Sequence, residues 1–415
     1  MAAPTAKVAD ALAAAESAPN DKKPTLYTTL LTSIQTLSTP STAATDLNAI
    51  ADSFFAASLG VVSTRALLVT FIKALESLGD DSLTMAVGER TLSTLAGQPS
   101  SFQDATAALC QLVASAQEAA EDFAGAARTL ASVPLDGSQR ELTDEDKARV
   151  WVRIVRDLLE VDDATTAETY VNKLKNIMHN VSDADLSLHF RLSQARIQDA
   201  QRDFLPASQR YHEISFLPTV AEDERLHTLA MAVKCAVLAP AGPSRSRALA
   251  RLYKDDRAAG LDEFAILEKM FLDRLLAKDE ADKFAEGLAP HQLATTSDGS
   301  TVLAKAVVEH NLRAASRLYA NIRFDDLGHL LGLDAVRAEE TTARMMEQGR
   351  LMGRIDQLGS TVFFDVGDAG DGVVVSGGEL RRWDANVEGL CEEVERITNA
   401  LQREFPEFVA ANLVV

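Results

Sequence analysis

Between about residue 24 and residue 320, apolar residues recur at three- and four-residue steps in almost every segment, and long alternating β-branched runs are missing. A stretch of this kind folds as helix after helix. Short polar or Pro/Gly-containing breaks divide it, among them STPST at 38–42, VPLDGS at 133–138 and APAGPS at 239–244. A longer period lies on top of the helical one. Asp122, Asp163 and Asp203 each open a similar segment, with Ala126, Ala167 and Ala207 four places on, Leu130, Val171 and Tyr211 at eight, and Val133, Leu174 and Ile214 at eleven. The offsets of 41 and 40 residues suit two packed helices per repeat, and the small alanine lets neighbouring helices approach closely. The spacing therefore predicts a mostly α chain whose N-terminal part is an α-α helical-repeat solenoid of the TPR or HEAT kind. A solenoid uses its apolar residues for stacking and turns its polar ones toward partners, which favours binding over catalysis.

Composition narrows the partners. The chain carries 41 basic against 61 acidic residues, a net charge of −20, and an acidic surface repels phosphate backbones. Nucleic acid is not an expected partner. No apolar run reaches the roughly 18 residues a membrane span requires, and the opening MAAPTAKVADALAAAESAPN lacks a charged start followed by an apolar block. The expected location is inside the cell, with no membrane partner. Cys110, Cys235 and Cys391 lie far apart with no CxxC or Cys/His cluster, so no disulfide framework, structural metal or cofactor is expected. Asn180-Val181-Ser182 matches a glycosylation sequon and, with no export signal beside it, is read as chance.

Residues 321–365 read differently. A short strand is followed by a helix, a tight turn, a second helix and a hairpin, the order of parts in a winged helix. Asp325 and Asp326 stand where a helix cap belongs, and Asp334 caps the next helix, whose inward face carries Ala335, Ala338, Thr342 and Met345 before Gly349 ends it. Leu351, Gly353 and Ile355 then alternate with Met352, Arg354 and Asp356, and Thr361-Val362-Phe363-Phe364 returns after the turn at 358–360. Groove docking on DNA needs a basic second helix. Residues 334–348 instead hold Arg337 and Arg344 against Asp334, Glu339, Glu340 and Glu347. The favoured use is assembly, with the free edge of the hairpin at Val362, Phe363 and Phe364 pairing with a neighbouring protein by β-augmentation.

The last helix has a seam. Leu380, Trp383, Val387, Leu390, Val394, Ile397 and Leu401 fall at alternating steps of three and four, as in a coiled coil, among Arg, Glu and Asn. Such a stripe either folds back on its own chain or meets other subunits; its place after a Gly-rich connection favours the second. No GxxxxGK[ST], GxGxxG or GxSxG is present. Asp255-Asp256 and Glu392-Glu393 read as solvated surface, and His310 beside Glu309 as a packing histidine, since adjacent residues on a helix point apart.

A helical-repeat arm running into a winged helix is the arrangement of the PCI-domain family. APHQLATTSDGSTVLAKAVVEHNLRAASRLYANIRFDDLG (289–328) and ARMMEQGRLMGRIDQLGSTVFF (343–364) resemble that family's COP-9 signalosome branch, its fourth subunits, through the PHQ-ATT-DGS run, the EHNL-ASRLY helix, the MGRIDQ hairpin and the Trp383-Asp384 pair. The likeness is close over roughly the last 130 residues and one of architecture before them; DVGDAGDGVVVSGGEL at 365–380 departs from it in length and Gly/Val content. The resemblance implies a non-catalytic scaffold and substrate-sensing subunit of nucleus and cytoplasm. Its implied partners are other PCI and metalloprotease-like subunits of the signalosome and the cullin-RING ubiquitin ligase, from whose cullins the complex removes Nedd8. It also implies that the C-terminal helices of the subunits gather in one bundle. A loop near residues 290–301 is implied to couple substrate arrival to activation, which points to His291, Gln292, Asp298 and Gly299, in a segment whose small polar residues predict an exposed and mobile loop; a plain connection is the other reading. The His-x-His pair that deneddylation chemistry requires is absent, since none of the histidines at 179, 189, 212, 227, 291, 310 and 329 lies two residues from another. A PCI scaffold of the proteasome lid or of a translation initiation factor would share the fold. The expected divisions are a flexible 1–23, the arm at 24–200, the helical part of the PCI domain at 201–320, the winged helix at 321–365, a Gly-rich linker at 366–378, the bundle helix at 379–405 and a tail at 406–415.

Overall fold

The computed structural model describes residues 4–408 apart from 20, 40–41, 58, 98–101, 134, 136–141, 296–298, 366–376 and 407, with backbone alone at 377–382, 384 and 385. The expected linker therefore lies almost wholly outside the described residues, as does most of the tail. The chain forms two compact units. The first comprises residues 1–240, 244–272 and 276–307, the second 241–243, 273–275 and 308–415.

Among the described residues, the named elements of the first unit are all helices. It begins with α1 (Ala6–Ser17), α2 (Lys23–Thr32), α3 (Ile34–Leu37), α4 (Ala43–Ala56), α5 (Val61–Leu78) and α6 (Asp81–Ala96). Within the span 1–23 expected to be flexible, residues 6–17 form a packed helix. Val8, Leu12 and Ala15 recur on one face of α1 and are buried in the core that Tyr27, Phe54 and Phe71 fill. The start of α1 is pinned by Asp46, which is 0% exposed and accepts from Thr5 N and Thr5 Oγ1, both at 2.7 Å, and from Ser38 Oγ at 2.6 Å. Burial raises the Asp46 pKa, but the hydrogen bonds from Ser38 and Thr5 outweigh it and hold the carboxyl below its usual range.

The repeat comes next, as α7 (Gln103–Ala119) with α8 (Phe123–Ala131), α9 (Asp144–Glu160) with α10 (Ala164–Ile177), and α11 (Ala184–Ala200) with α12 (Phe204–Ile214). All nine residues of the alanine, large and closing positions are buried. The three turns share one geometry. Glu121, Asp162 and Arg202 each take a positive φ, of 61°, 60° and 65°, and Asp122, Asp163 and Asp203 follow as N-caps. Their N–H groups reach back five residues to Gln117, Leu158 and Gln198 carbonyls, a reversal of the Schellman kind. The Asp122 and Asp163 side chains cap Gly125 N–H and Thr166 N–H; Asp203 makes no such bond, because Pro206 stands at that position without an N–H. The boundary expected at 200/201 falls inside the third of these turns, in mid-repeat.

The unit continues with α13 (Glu222–Leu238), α14 (Pro243–Tyr253), α15 (Phe264–Phe271), α16 (Lys278–Ala285) and the first turns of α17 (Val302–Leu318), around a core containing Leu229, Val233, Leu249, Leu267 and Leu303.

The second unit carries the winged helix. Its parts are β1 (Asn321–Arg323), α18 (Phe324–Leu331), α19 (Ala335–Glu347), β2 (Gly353–Asp356) and β3 (Thr361–Phe364). The unit starts earlier than expected, at residue 308 within α17, and draws in 241–243 and 273–275. Arg350 explains one of these recruits. Its guanidinium takes Glu309 in a two-pronged pair at 2.5 and 3.0 Å and donates to Ala241 O at 3.2 Å, while Ala241 N–H donates to Glu309. His310 is fully buried with Nε2 2.8 Å from Arg274 O, a packing histidine as read, and Asp273 meets Arg317 at 2.5 Å. Asp334 caps α19 through Arg337 N–H, and Gly349, with φ 66°, ends it. Asp325 and Asp326 do not cap α18; they lie in its first turn, and the cap position is Arg323.

Candidate functional site

The sheet order is β1-β3-β2, all antiparallel, so β3 is the middle strand. This overturns the expected free edge. Residues 361–363 pair with β1 and residues 361–364 with β2, and Val362 (0% exposed) and Phe364 (5%) point into the core of the unit with Leu312, Leu327 and Met345. The physical reason is the three-residue β1, which brings a long-range partner to the side of β3 that a lone hairpin leaves open. Phe363 lies on the opposite face, half-buried under the Arg354 guanidinium at 4.9 Å from its ring centre. The outer edges belong to β1 and β2.

The MGRIDQ run at 352–357 has structural parts. A Cβ on Gly353 would stand 2.3 Å from Phe363 O and 2.9 Å from Met346 Cε, so only glycine lets β2 reach β3 under α19. Ile355 packs toward the core, Asp356 accepts from Gly359 N–H in the turn, and Gln357 donates to Glu339 on α19.

The C-terminal helix α20 (Gly377–Glu404) carries the seam. Trp383, Val387, Leu390, Val394, Ile397 and Leu401 are between 37% and 65% exposed, so among the described residues the stripe is left open to solvent. Leu380 lies in this helix, but its side chain is outside the described residues. Phe405 and Phe408, missed in the sequence because Pro406 interrupts the helix there, follow Leu401 at steps of four and three and are 57% and 58% exposed. Glu392 and Glu393 are solvated as read.

The loop at 289–301 divides in two. Thr295 and Thr301 form an isolated bridge, and Gly299, at φ 73°, is exposed beyond it; Asp298 lies outside the described residues. The base is anchored through one buried residue. Gln292 is fully buried, its Nε2 2.9 Å from both Asp199 carboxylate oxygens, and His291 Nε2 stands 3.3 Å from Asp199 Oδ2. Asp199 carried no signal in the sequence, being one acidic residue among many on a helix.

Asp255 also departs from its reading as solvated surface. It is held by Arg257, at 2.9 and 2.6 Å, and by His212 at 3.4 Å. The hydrogen bond from Arg257 holds the Asp255 carboxyl below its usual range, and burial pushes the His212 imidazole down against the opposing pull of Asp255. Arg257 also donates to Ser215 O and covers the Phe216 ring, so the cluster is a brace for the end of α12. No group of three or more His, Cys, Asp or Glu suited to a metal occurs among the described residues, and none of their helices is long and apolar enough to cross a membrane.

Two known families match. Residues 7–223 match PSMD12/CSN4, N-terminal, and residues 267–366 match the PCI domain. The chain is 54% identical to COP9 signalosome complex subunit 4 of Neurospora crassa, over 99% of both chains. It is 47% identical to the protein of that name from Emericella nidulans, over 95% of this chain and 97% of the relative. For the one from Arabidopsis thaliana the figure is 36%, over 83% and 86%. The likeness thus runs through both the repeats and the winged helix.

Proposed function

The chain belongs to the COP9 signalosome subunit 4 family of PCI-domain proteins, and on that premise we propose that it works as a non-catalytic scaffold and substrate-sensing subunit. In this reading α20 and the outer edges of β1 and β2 assemble with other PCI and metalloprotease-like subunits, the helical arm contacts a cullin-RING ligase, and the complex removes Nedd8 from the cullin in nucleus and cytoplasm. The observation that carries the reading is the open stripe of α20. Burying each large side chain of that stripe contributes about 1.5–3 kcal/mol, far more than the roughly 1 kcal/mol that Gly389 costs in mid-helix. A lone chain leaves that energy unrealised. Relatives at 36% to 54% identity carry the signalosome name, which favours that complex over the proteasome lid and the initiation factor.

Replacing Leu390 and Val394 together by Asp should leave the chain as helical and as heat-stable as the parent, while pull-down of its partner subunits fails. Normal complex formation by that double variant refutes the reading. Deleting residues 293–299 tests the loop separately. Assembly should persist and the deneddylation rate of the reconstituted complex should change; an unaltered rate removes the regulatory role of the loop.

A further inference from the structure

The loop base is tied to a residue 93 positions earlier in the chain. Asp199 sits in the last turn of α11, 2% exposed, where Gln201 and Arg202 N–H groups donate to its carbonyl as the chain bends toward α12. It therefore belongs to the turn of the third repeat. A carboxylate kept from water needs donors, and stripping them away is costly. Gln292 supplies its amide nitrogen to both oxygens and turns its own carbonyl to accept from Ala289 N–H at 3.2 Å. His291 Nε2 lies 3.3 Å from Asp199 Oδ2 without a hydrogen bond, and Gln292 and Leu293 N–H groups fold back on Ala289 O to complete a short turn. Both ends of the Gln292 amide are engaged within the protein. Two of the four residues nominated as contacts, His291 and Gln292, are thus the fastening, while Gly299 is exposed.

We propose that Asp199 is the positioning residue of this loop: its clasp on Gln292 and His291 fixes the loop base to the third repeat turn, so that the arm sets the direction in which the loop leaves. The clasp stands on geometry alone; its value for regulation rests on the function proposed above, where arm displacement is relayed toward a catalytic neighbour.

Hydrogen exchange on the purified full chain tests the clasp. Gln292→Glu sets a second carboxylate against Asp199, and Asp199→Ala removes the acceptor. Each should speed exchange at the amides of residues 289, 292 and 293 by about tenfold or more, with α13 still protected. The double variant Asp199→Asn with Gln292→Glu restores a donor facing an acceptor with the polarity reversed, and protection should return. Unchanged exchange in the single variants, a rise spread evenly over the chain, or no recovery in the double variant overturns the proposal. In the reconstituted signalosome, the single variants should shift the deneddylation rate in the same direction as the 293–299 deletion. An opened clasp with an unmoved rate keeps Asp199 as the fastening and removes the regulatory reading alone.

Discussion

Asp157 on α9 is 3% exposed, and burial, reinforced by the charge of Glu118, pushes its carboxyl up to about 7, against the weaker pull of Arg153 and Arg156. An aspartate in the unfolded chain titrates near pH 4. Between those values the unfolded chain has lost a proton that the folded one keeps, so stability falls as pH rises through that window, by up to about 1.4 kcal/mol per pH unit, and levels off above it. Asp157→Asn keeps the shape without the titration. Its stability relative to the parent should climb between about pH 4 and about pH 7, read from urea midpoints; a constant difference would show that Asp157 ionises normally. The repeat caps give a second contrast. Asp122→Ala should cost about 1 kcal/mol, as a lost N-cap does, and Asp203→Ala clearly less, since its side chain holds no helix N–H. Equal losses in thermal unfolding would contradict the role given to Pro206. The caps were legible because Asp, Ala and the apolar positions recur in register. The pins of Asp199, Asp46 and Asp255 were not, because a buried carboxylate and a solvated one look alike until distant donors are placed around them.

At the scale of elements, the winged helix was readable almost residue by residue, since its turns, caps and alternation are local signals. Strand order was not. A three-residue strand has too little pattern to declare its neighbour, and the pairing of β1 with β3 joins residues some forty positions apart. The difference is testable on adjacent residues. Val362→Asp should unfold the second unit, whereas Phe363→Ser, on the outer face, should leave the melting of that unit within about 1 kcal/mol of the parent. Equal damage from both would restore β3 to an edge. Gly353→Ala should resemble Val362→Asp more than Phe363→Ser, because the added carbon meets backbone at 2.3 Å.

For the whole molecule, charge and helix content set the boundaries within which the sequence could be read. The net charge of −20 argues against duplex DNA on the winged helix, and at physiological salt fluorescence anisotropy with a labelled duplex should register no binding. Where the two units begin was harder to see, because α17 runs through the division and short stretches at 241–243 and 273–275 cross it by way of polar contacts that periodicity does not record.

The open flank of α20 makes abundance a matter of stoichiometry. A chain made in excess of the partners proposed for it presents an unmet greasy row on an otherwise acidic body, and such a row is what chaperones and proteases survey. If α20 assembles as proposed, surplus copies are marked for removal by the same side chains that hold the assembled ones, and the seam keeps count of the complex as well as holding it together.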